Sequence, residues 1–375
     1  MSTAEHHDVV VVGGGPAGLA TSAELRRRGI EHVVLERGES VGHSWANLYD
    51  SLTLHTGKHL SALPRMPFDR HVPLFPSRRD FVDYLHRYAE TLELPVKTGR
   101  TVTAIERRDD AWLVRTDRGD VTARDVVAAT GIVASPRIPA IPGRERFGGR
   151  VMHSVEYRHP AEFVGRRVLV VGVGNSGGEI GSELANAGAR VTIAVRSGAN
   201  VVPRQVAGIP IQYLSYAMLA LPRRVRTIIA ALFGRLTELV RGKPVLPKPA
   251  HGPLDSIPLI GFHLVDTISA GKVTVRGGVA ALTESGARFI DGVEEPFDDV
   301  ILATGYSPAL APLGDLVRTD AKGFAVRTDR VTSADQPHLY FVGHNYDSTG
   351  GLHNIRRDSA LAAERIAASA RRGAA

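Results

Sequence analysis

Hydrophobic and polar positions follow the same sequence of patterns at two places in the chain. Asp8 to Val12 is an unbroken β-branched run without polar alternation, the mark of a strand buried on both faces of a parallel sheet. From Pro16 to Arg28 the apolar positions take helical spacing through Leu19, Ala23 and Leu25, and Gly29 ends the helix. Val33 to Glu36 is again a strand. About 160 residues later the pattern returns as a strand–turn–helix–strand unit of the dinucleotide-binding type. Its parts are a strand Arg167 to Val171, a helix Ser176 to Ala187 stopped by Gly188, and a strand Val191 to Val195. The expected fold is α/β, with two Rossmann-like dinucleotide-binding domains.

A shorter repeat sets the order of the domains. Val126 to Gly131 reads VVAATG and Val300 to Gly305 reads VILATG, two apolar strands ending in Ala-Thr-Gly. We read them as the chain leaving one domain and returning to it, with the proline-rich Ser135 to Pro142 as the outward linker. The first domain is then discontinuous, over 1–140 and 303–375, with the second, 141–302, inserted into it. Within the second, 203–263 is irregular and carries two amphipathic stretches, Ile211 to Leu221 and Val225 to Val240. We expect this insertion to pack on the domain cleft rather than to touch a membrane.

Composition removes several alternatives. The formal charge is +7, from 46 Lys and Arg against 39 Asp and Glu. The arginines are scattered in groups such as Arg26 to Arg28, Arg166–Arg167 and Arg356–Arg357, with no aromatic platform, so nucleic acid is not the expected partner. There is no cysteine, which removes disulfides, thiolate metal sites and redox-active pairs. No metal is expected. The polar start, Met1 to His7, is not expected to be a signal peptide, and Ile209 to Leu221 falls short of the roughly 20 apolar residues of a membrane span. A cytoplasmic location is expected.

The candidate chemistry lies at the turns. Gly13, Gly15 and Gly18 have G-x-G-x-x-G spacing, with Pro16 and Ala17 opening the helix. The first glycine permits the turn, the second admits a pyrophosphate to the backbone, and the third lets helix and strand approach. The helix N-terminus then offers N–H groups to the phosphates. Glu36 ends the second strand, where a carboxylate accepts hydrogen bonds from ribose hydroxyls. Gly172, Gly174 and Gly177 repeat the spacing around Asn175 and Ser176, but the matching strand ends in Arg196 and Ser197. A carboxylate repels a ribose 2′-phosphate and a guanidinium binds it bidentately. The first site therefore suits FAD and the second NADPH, with Arg204 a weaker phosphate candidate.

Just before the second site, Phe147, Gly149, His153 and Tyr157 fit F-x-G-x-x-x-H-x-x-x-Y. This segment resembles the fingerprint of the class B flavin-dependent monooxygenases. Its closing Tyr resembles the flavin-containing monooxygenase branch rather than the Baeyer–Villiger one, which usually closes with Trp. Tyr49-Asp50, Leu52, Leu54-His55, Lys58, the helix from Arg79 to Leu85, Arg167 to Ser176, Val195 to Ser197, Val202 to Arg204 and Val300 to Tyr306 are similar to YUCCA-type indole-3-pyruvate monooxygenases. The likeness thus runs along nearly the whole chain.

The resemblance implies an NADPH-dependent flavoprotein that forms a C4a-hydroperoxyflavin with O2 and inserts one oxygen atom into a small organic substrate. That substrate is a soft N or S nucleophile, or a 2-keto acid such as indole-3-pyruvate that is oxidatively decarboxylated. A flavin reductase or oxidase and a Baeyer–Villiger-type oxygenation stay open as alternatives, as does a non-enzymatic NADPH-binding redox sensor. His55 stands where the animal and yeast branch has an asparagine beside the flavin. His55 and Lys58 are the expected residues near the flavin, and Asn175 the expected neighbour of the nicotinamide. Gly351 and Leu352, opening a helix from about His353 to Arg371, are expected to offer N–H groups to the flavin pyrimidine edge. Arg37, Gly42, Trp45, Gly131, Thr304, Gly305 and Gly343 complete the expected cofactor-binding set. Substrate-pocket residues are expected from Trp45 to Leu60, from 203–263 and from the loop His344 to Thr349.

Overall fold

The computed structural model describes residues 5–132, 134–249, 251–252, 257–345 and 349–373. The chain divides into two compact units, Met1–Ser135 with Tyr306–Ala375, and Pro136–Gly305. The second is an insertion in the first, and the chain passes between them at residues 135–136 and 305–306.

In the first unit, Val9, Val10 and Val11 are fully buried, as an unbroken β-branched run requires of a strand covered on both faces. The strand Glu5–Val12 lies between His32–Leu35 and Val121–Ala128, parallel to both, and Val96–Lys97 extends the sheet beyond His32–Leu35. The strand Val121–Ala128 has two further neighbours. Its first half pairs antiparallel with Ala111–Thr116, and its second half pairs parallel with Leu339–Phe341. The glycine-opened helix Pro16–Arg27 and the C-terminal helix Gly351–Gly373 share one face and one apolar core with Val9, Val11 and Val34. The other face is filled by Trp112, Phe341 and Leu313 among others.

The second unit repeats this plan. A five-stranded parallel sheet runs in the order Val273–Arg276, Arg190–Ala194, Arg167–Val171, Asp299–Leu302, Arg150–His153. An antiparallel ribbon, Val279–Leu282, Gly286–Phe289 and Glu294–Pro296, accompanies it. Both units therefore place a glycine turn at the carboxyl end of a central parallel strand, next to the strand that ends in Ala-Thr-Gly.

Several arginines behind the positive charge are held in ion pairs. Asp299, fully buried, accepts from Arg150 Nε at 3.0 Å and also from Arg166, and Asp298 holds Arg167 at 2.6 Å. Arg28 and Arg27 pair with Glu24 at 2.6 and 3.0 Å, and Arg26 with Glu93.

The insertion departs from expectation. Ile211–Ala217 and Arg223–Arg241 are helices, but the longer one has no buried residue. Periodicity reports a two-faced helix and is silent on what covers the apolar face. Among the described residues, no helix is long and apolar enough to cross a membrane.

His344 ties the first unit's stability to pH. It is 3% exposed and lies against the rings of Phe341 and Phe324, and among the described residues neither ring nitrogen has a hydrogen-bond partner. Burial, helped by Arg327, pushes its pKa down to about 3. The folded state keeps His344 neutral while the unfolded chain takes a proton below its ordinary value of 6.5. Its contribution is thus complete above that value and is lost as pH falls towards about 3. We expect His344→Phe to flatten the acid limb of a melting-temperature profile; an unchanged limb would show that other groups set it.

Candidate functional site

The three glycines of the first loop do different things. Gly13 has φ +111°, and a Cβ there would lie 2.5 Å from the Ala129 carbonyl oxygen. A Cβ on Gly18 would lie 1.8 Å from the Gly13 oxygen, so the helix seats on the turn only without one. Around Gly15 nothing lies within 4 Å of the same position. Gly15 is also the N-cap, and no side chain caps the helix. The open space and the first-turn amides form a cradle that fits a pyrophosphate.

Glu36 is 7% exposed and spans this cradle. Its carboxylate accepts from Gly14 N–H at 2.6 Å and from Gly38 N–H at 2.8 Å. A carboxylate has about four acceptor sites, so each oxygen keeps one for a ribose hydroxyl. Gly42 donates its N–H to the Gly14 oxygen at 2.9 Å and fixes the loop from behind. Trp45 packs edge-on against Phe81 with centroids 4.6 Å apart, and Arg37 is exposed. Gly343, at φ +87°, comes close to the helix start, where its Cβ would lie 3.1 Å from Ala17 Cβ. Thr130, beside Gly131, was missed by sequence reasoning. Its hydroxyl is buried and has no partner among the described residues, at the end of the strand on which Gly13 rests.

The C-terminal helix begins at Gly351–Leu352 in the same unit. A Cβ on Gly350 would lie 2.8 Å from the Thr56 hydroxyl, which places the helix start beside the Leu54–Thr56 segment. His55 in that segment is half-buried. Of the loop His344 to Thr349, residues 346–348 lie outside the described residues, as do 250 and 253–256 of the insertion.

Lys58 is engaged by its own segment. Its ammonium donates to the carbonyls of Asp69, Arg70 and Val72 at 3.1, 3.1 and 2.6 Å. An ammonium has three donors, and all three are engaged. Lys58 closes the 58–72 loop and has no donor left for a flavin or substrate.

The second cradle reproduces the first. A Cβ on Gly172 would meet the Ala303 oxygen at 2.6 Å, and one on Gly177 the Gly172 oxygen at 2.2 Å, while Gly174 again faces open space as an N-cap without a side-chain partner. The Asn175 side chain is committed to the protein: it accepts from Ile260 N–H at 2.8 Å and donates to the Pro258 oxygen at 3.2 Å. The amide thereby fixes the strand Leu259–Ile260 to the helix start. Ser176 follows in the first turn of the helix. At the end of the neighbouring strand, Arg196 and Ser197 are exposed, and Arg196 has no ion pair among the described residues. Arg204 is half-buried, and desolvation lowers its pKa.

The fingerprint residues assemble this unit. Phe147 is buried, and a Cβ on Gly149 would strike its ring and the Asp298 oxygen. His153 Nε2 donates to the Gly305 carbonyl at 3.1 Å, and Nδ1 accepts from Val155 N–H at 3.2 Å. One nitrogen donates and the other accepts, so the ring is neutral, in line with a pKa lowered by burial. Tyr157, fully buried, donates to Glu183 at 2.9 Å. Gly305 also accepts from Arg137 N–H at 2.9 Å, and Thr304 donates to the Arg137 oxygen. The fingerprint thus pins the strand that ends in Ala-Thr-Gly.

Gly18→Ala forces a Cβ into backbone and is expected to cost about 3 kcal/mol or more. Gly15→Ala meets no atom, and its φ of −83° suits alanine, so its melting temperature should stay near wild type. Thermal melts of the two cofactor-free variants check this; equal losses would show that both glycines serve packing alone.

Comparison with known proteins agrees with this geometry. The pyridine nucleotide-disulphide oxidoreductase family matches residues 10–207. The chain is 39% identical over 308 residues to indole-3-pyruvate monooxygenase YUCCA1 of Oryza sativa subsp. japonica, covering 79% of this chain and 76% of that one. It is 35% identical over 312 residues to the probable indole-3-pyruvate monooxygenase YUCCA1 of Arabidopsis thaliana, covering 80% and 75%. Among solved structures, a flavin-containing monooxygenase from Stenotrophomonas maltophilia matches with TM-score 0.77 and 25% identity over 98% of this chain and 99% of that one. A bacillithiol disulfide reductase from Staphylococcus aureus shares the fold, with TM-score 0.72 and 18% identity over 97% and 99%. The fold alone therefore does not choose between oxygenase and reductase, whereas sequence identity does. The chain is an oxidoreductase and belongs to the class B flavin-dependent monooxygenases, whose chemistry uses a flavin and a pyridine nucleotide.

Proposed function

We propose that this protein is an FAD- and NADPH-dependent monooxygenase that inserts one atom of O2 into a small 2-keto acid of the indole-3-pyruvate type. The observation that carries the cofactor assignment is the difference between two otherwise equivalent cradles. In one, the Glu36 carboxylate is bonded to the loop itself; beside the other, the neighbouring strand leads to Arg196, which is exposed. FAD, with free ribose hydroxyls, suits the first, and NADPH, with its 2′-phosphate, suits the second. The substrate class follows the relatives named indole-3-pyruvate monooxygenases.

Bound flavin, reduced by NADPH, supplies the activation of oxygen. The chain's own residues bind, orient and shield. Gly15 and Gly174 admit the pyrophosphates, and the first-turn amides of their helices hold them. The N-terminus of Gly351–Gly373 offers its N–H groups and partial positive charge to negative charge on the reduced ring. Leu54, Thr56 and Gly57 are buried, so the segment carrying His55 is suited to keep water away.

Two outcomes test this. Arg196→Ala should lower kcat/KM for NADPH by about 10- to 100-fold, the loss of a charge-assisted phosphate contact, and change that for NADH little. Equal losses for both nucleotides would dismiss the phosphate role. With indole-3-pyruvate, NADPH oxidation should accelerate and the decarboxylated acid should accumulate. Oxygenation of thioethers or tertiary amines in its place would move the substrate to the N/S class.

A further inference from the structure

The helix Arg223–Arg241 belongs to no part of the site described above, and it is unlike every other long helix in its exposure. Ile228, Leu232, Leu236, Leu239 and Val240 are 59, 57, 56, 82 and 75% exposed. Val225 and Ile229 are also exposed. At 100° per residue these seven lie on one continuous side of the helix. A different edge meets the protein: Arg226, Ala230, Phe233 and Thr237, spaced by three and four residues, are its half-buried positions. Arg241 strengthens that seating, paired with Asp266 and placed over the Phe262 ring at 4.0 Å. The helix is thus held along one edge, with its apolar side turned to solvent. Exposed apolar patches of this kind mark interaction surfaces.

Charge selects the partner. The helix holds five arginines and a single acidic residue, Glu238, and exposed Lys243 follows its end. Arg224 and Arg235, eleven residues or three turns apart, line the open rim of the apolar side, while Glu238 lies on the polar side away from it. An apolar side edged by long cationic side chains fits an anionic lipid surface. The aliphatic residues enter the acyl boundary, and the guanidinium groups reach phosphate in the headgroup layer. Upstream, Tyr216, Leu219 and Leu221 add exposed apolar and aromatic area. The helix is too charged to cross a bilayer, so it would lie in the interfacial plane.

We propose that Arg223–Arg241 docks this enzyme, reversibly and in-plane, on anionic membrane surfaces. The proposal is independent of the substrate reading.

Co-sedimentation of the full-length protein with phosphatidylcholine vesicles, with and without phosphatidylglycerol, tests it. Wild type should sediment with the anionic vesicles and stay in solution with the zwitterionic ones. High salt should weaken the binding, because screening shortens from about 10 Å at 0.1 M to about 3 Å at 1 M. The double variant Arg224→Glu/Arg235→Glu should lose at least about tenfold in partitioning, since each basic residue near such a surface contributes about fivefold. Leu232→Glu/Leu236→Glu should abolish binding while melting as wild type does, because both side chains stand in solvent. Failure of wild type to bind anionic vesicles, or equal binding by the leucine variant, would overturn the proposal. So would a lipid-free dimer in sedimentation velocity that the leucine variant converts to monomer, since a second copy would then be the occupant.

Discussion

The contact on which each nucleotide cradle depends is backbone against backbone. The third glycine of each loop lies so close to the carbonyl of the first that a single added carbon would sit 1.8 Å from it at Gly18 and 2.2 Å at Gly177. That approach sets where the helix starts relative to the strand end. The helix start in turn decides where uncapped amides point and where open space remains for a ligand. The Cβ positions of Gly15 and Gly174 fall in that space. Both units, a seven-stranded mixed sheet and a five-stranded parallel one, obey the same constraint at the glycine turn, and so the chain presents two open cradles of like geometry. In the proposed reading, selectivity between nucleotides rests on the residue ending the neighbouring strand, Glu36 in one unit and Arg196 in the other.

The remaining polar groups mostly hold this frame in place. His153 connects its strand to Gly305, and Asp299 gathers Arg150 and Arg166. Asn175 ties the second helix start to the strand leaving the insertion. His153 and Asn175 act at the carboxyl ends of the parallel strands, beside the glycine turn, whereas Asp299 and its arginines tie the opposite, amino ends of the same strands. For an enzyme whose reactivity comes from a bound flavin, rigid placement and exclusion of water are the protein's main contribution.

Local signals carried much of this in the sequence. Val9 to Val12, Arg167 to Val171, the glycine spacings and the two Ala-Thr-Gly ends located the cradles, because each depends on neighbours within a few residues. The roles of Lys58 and Asn175 were not legible. Their partners, carbonyls at 69–72 and 258, are chosen by tertiary folding. Thr130 was hidden because an orphaned hydroxyl is visible only once its surroundings are known. The helix at 223–241 was legible as amphipathic, but its solvent-facing apolar side was not, since periodicity gives a face and never its partner.

We propose that NADPH and oxygen react at one flavin held by the first unit. Stopped-flow absorbance of the NADPH-reduced protein mixed with oxygenated buffer tests it most directly. The expected result is a long-lived species with a spectrum distinct from both reduced and oxidised flavin, which decays faster when the correct substrate is added. Immediate return of oxidised flavin with stoichiometric H2O2, unaltered by any candidate substrate, would contradict it and leave a reductase or oxidase.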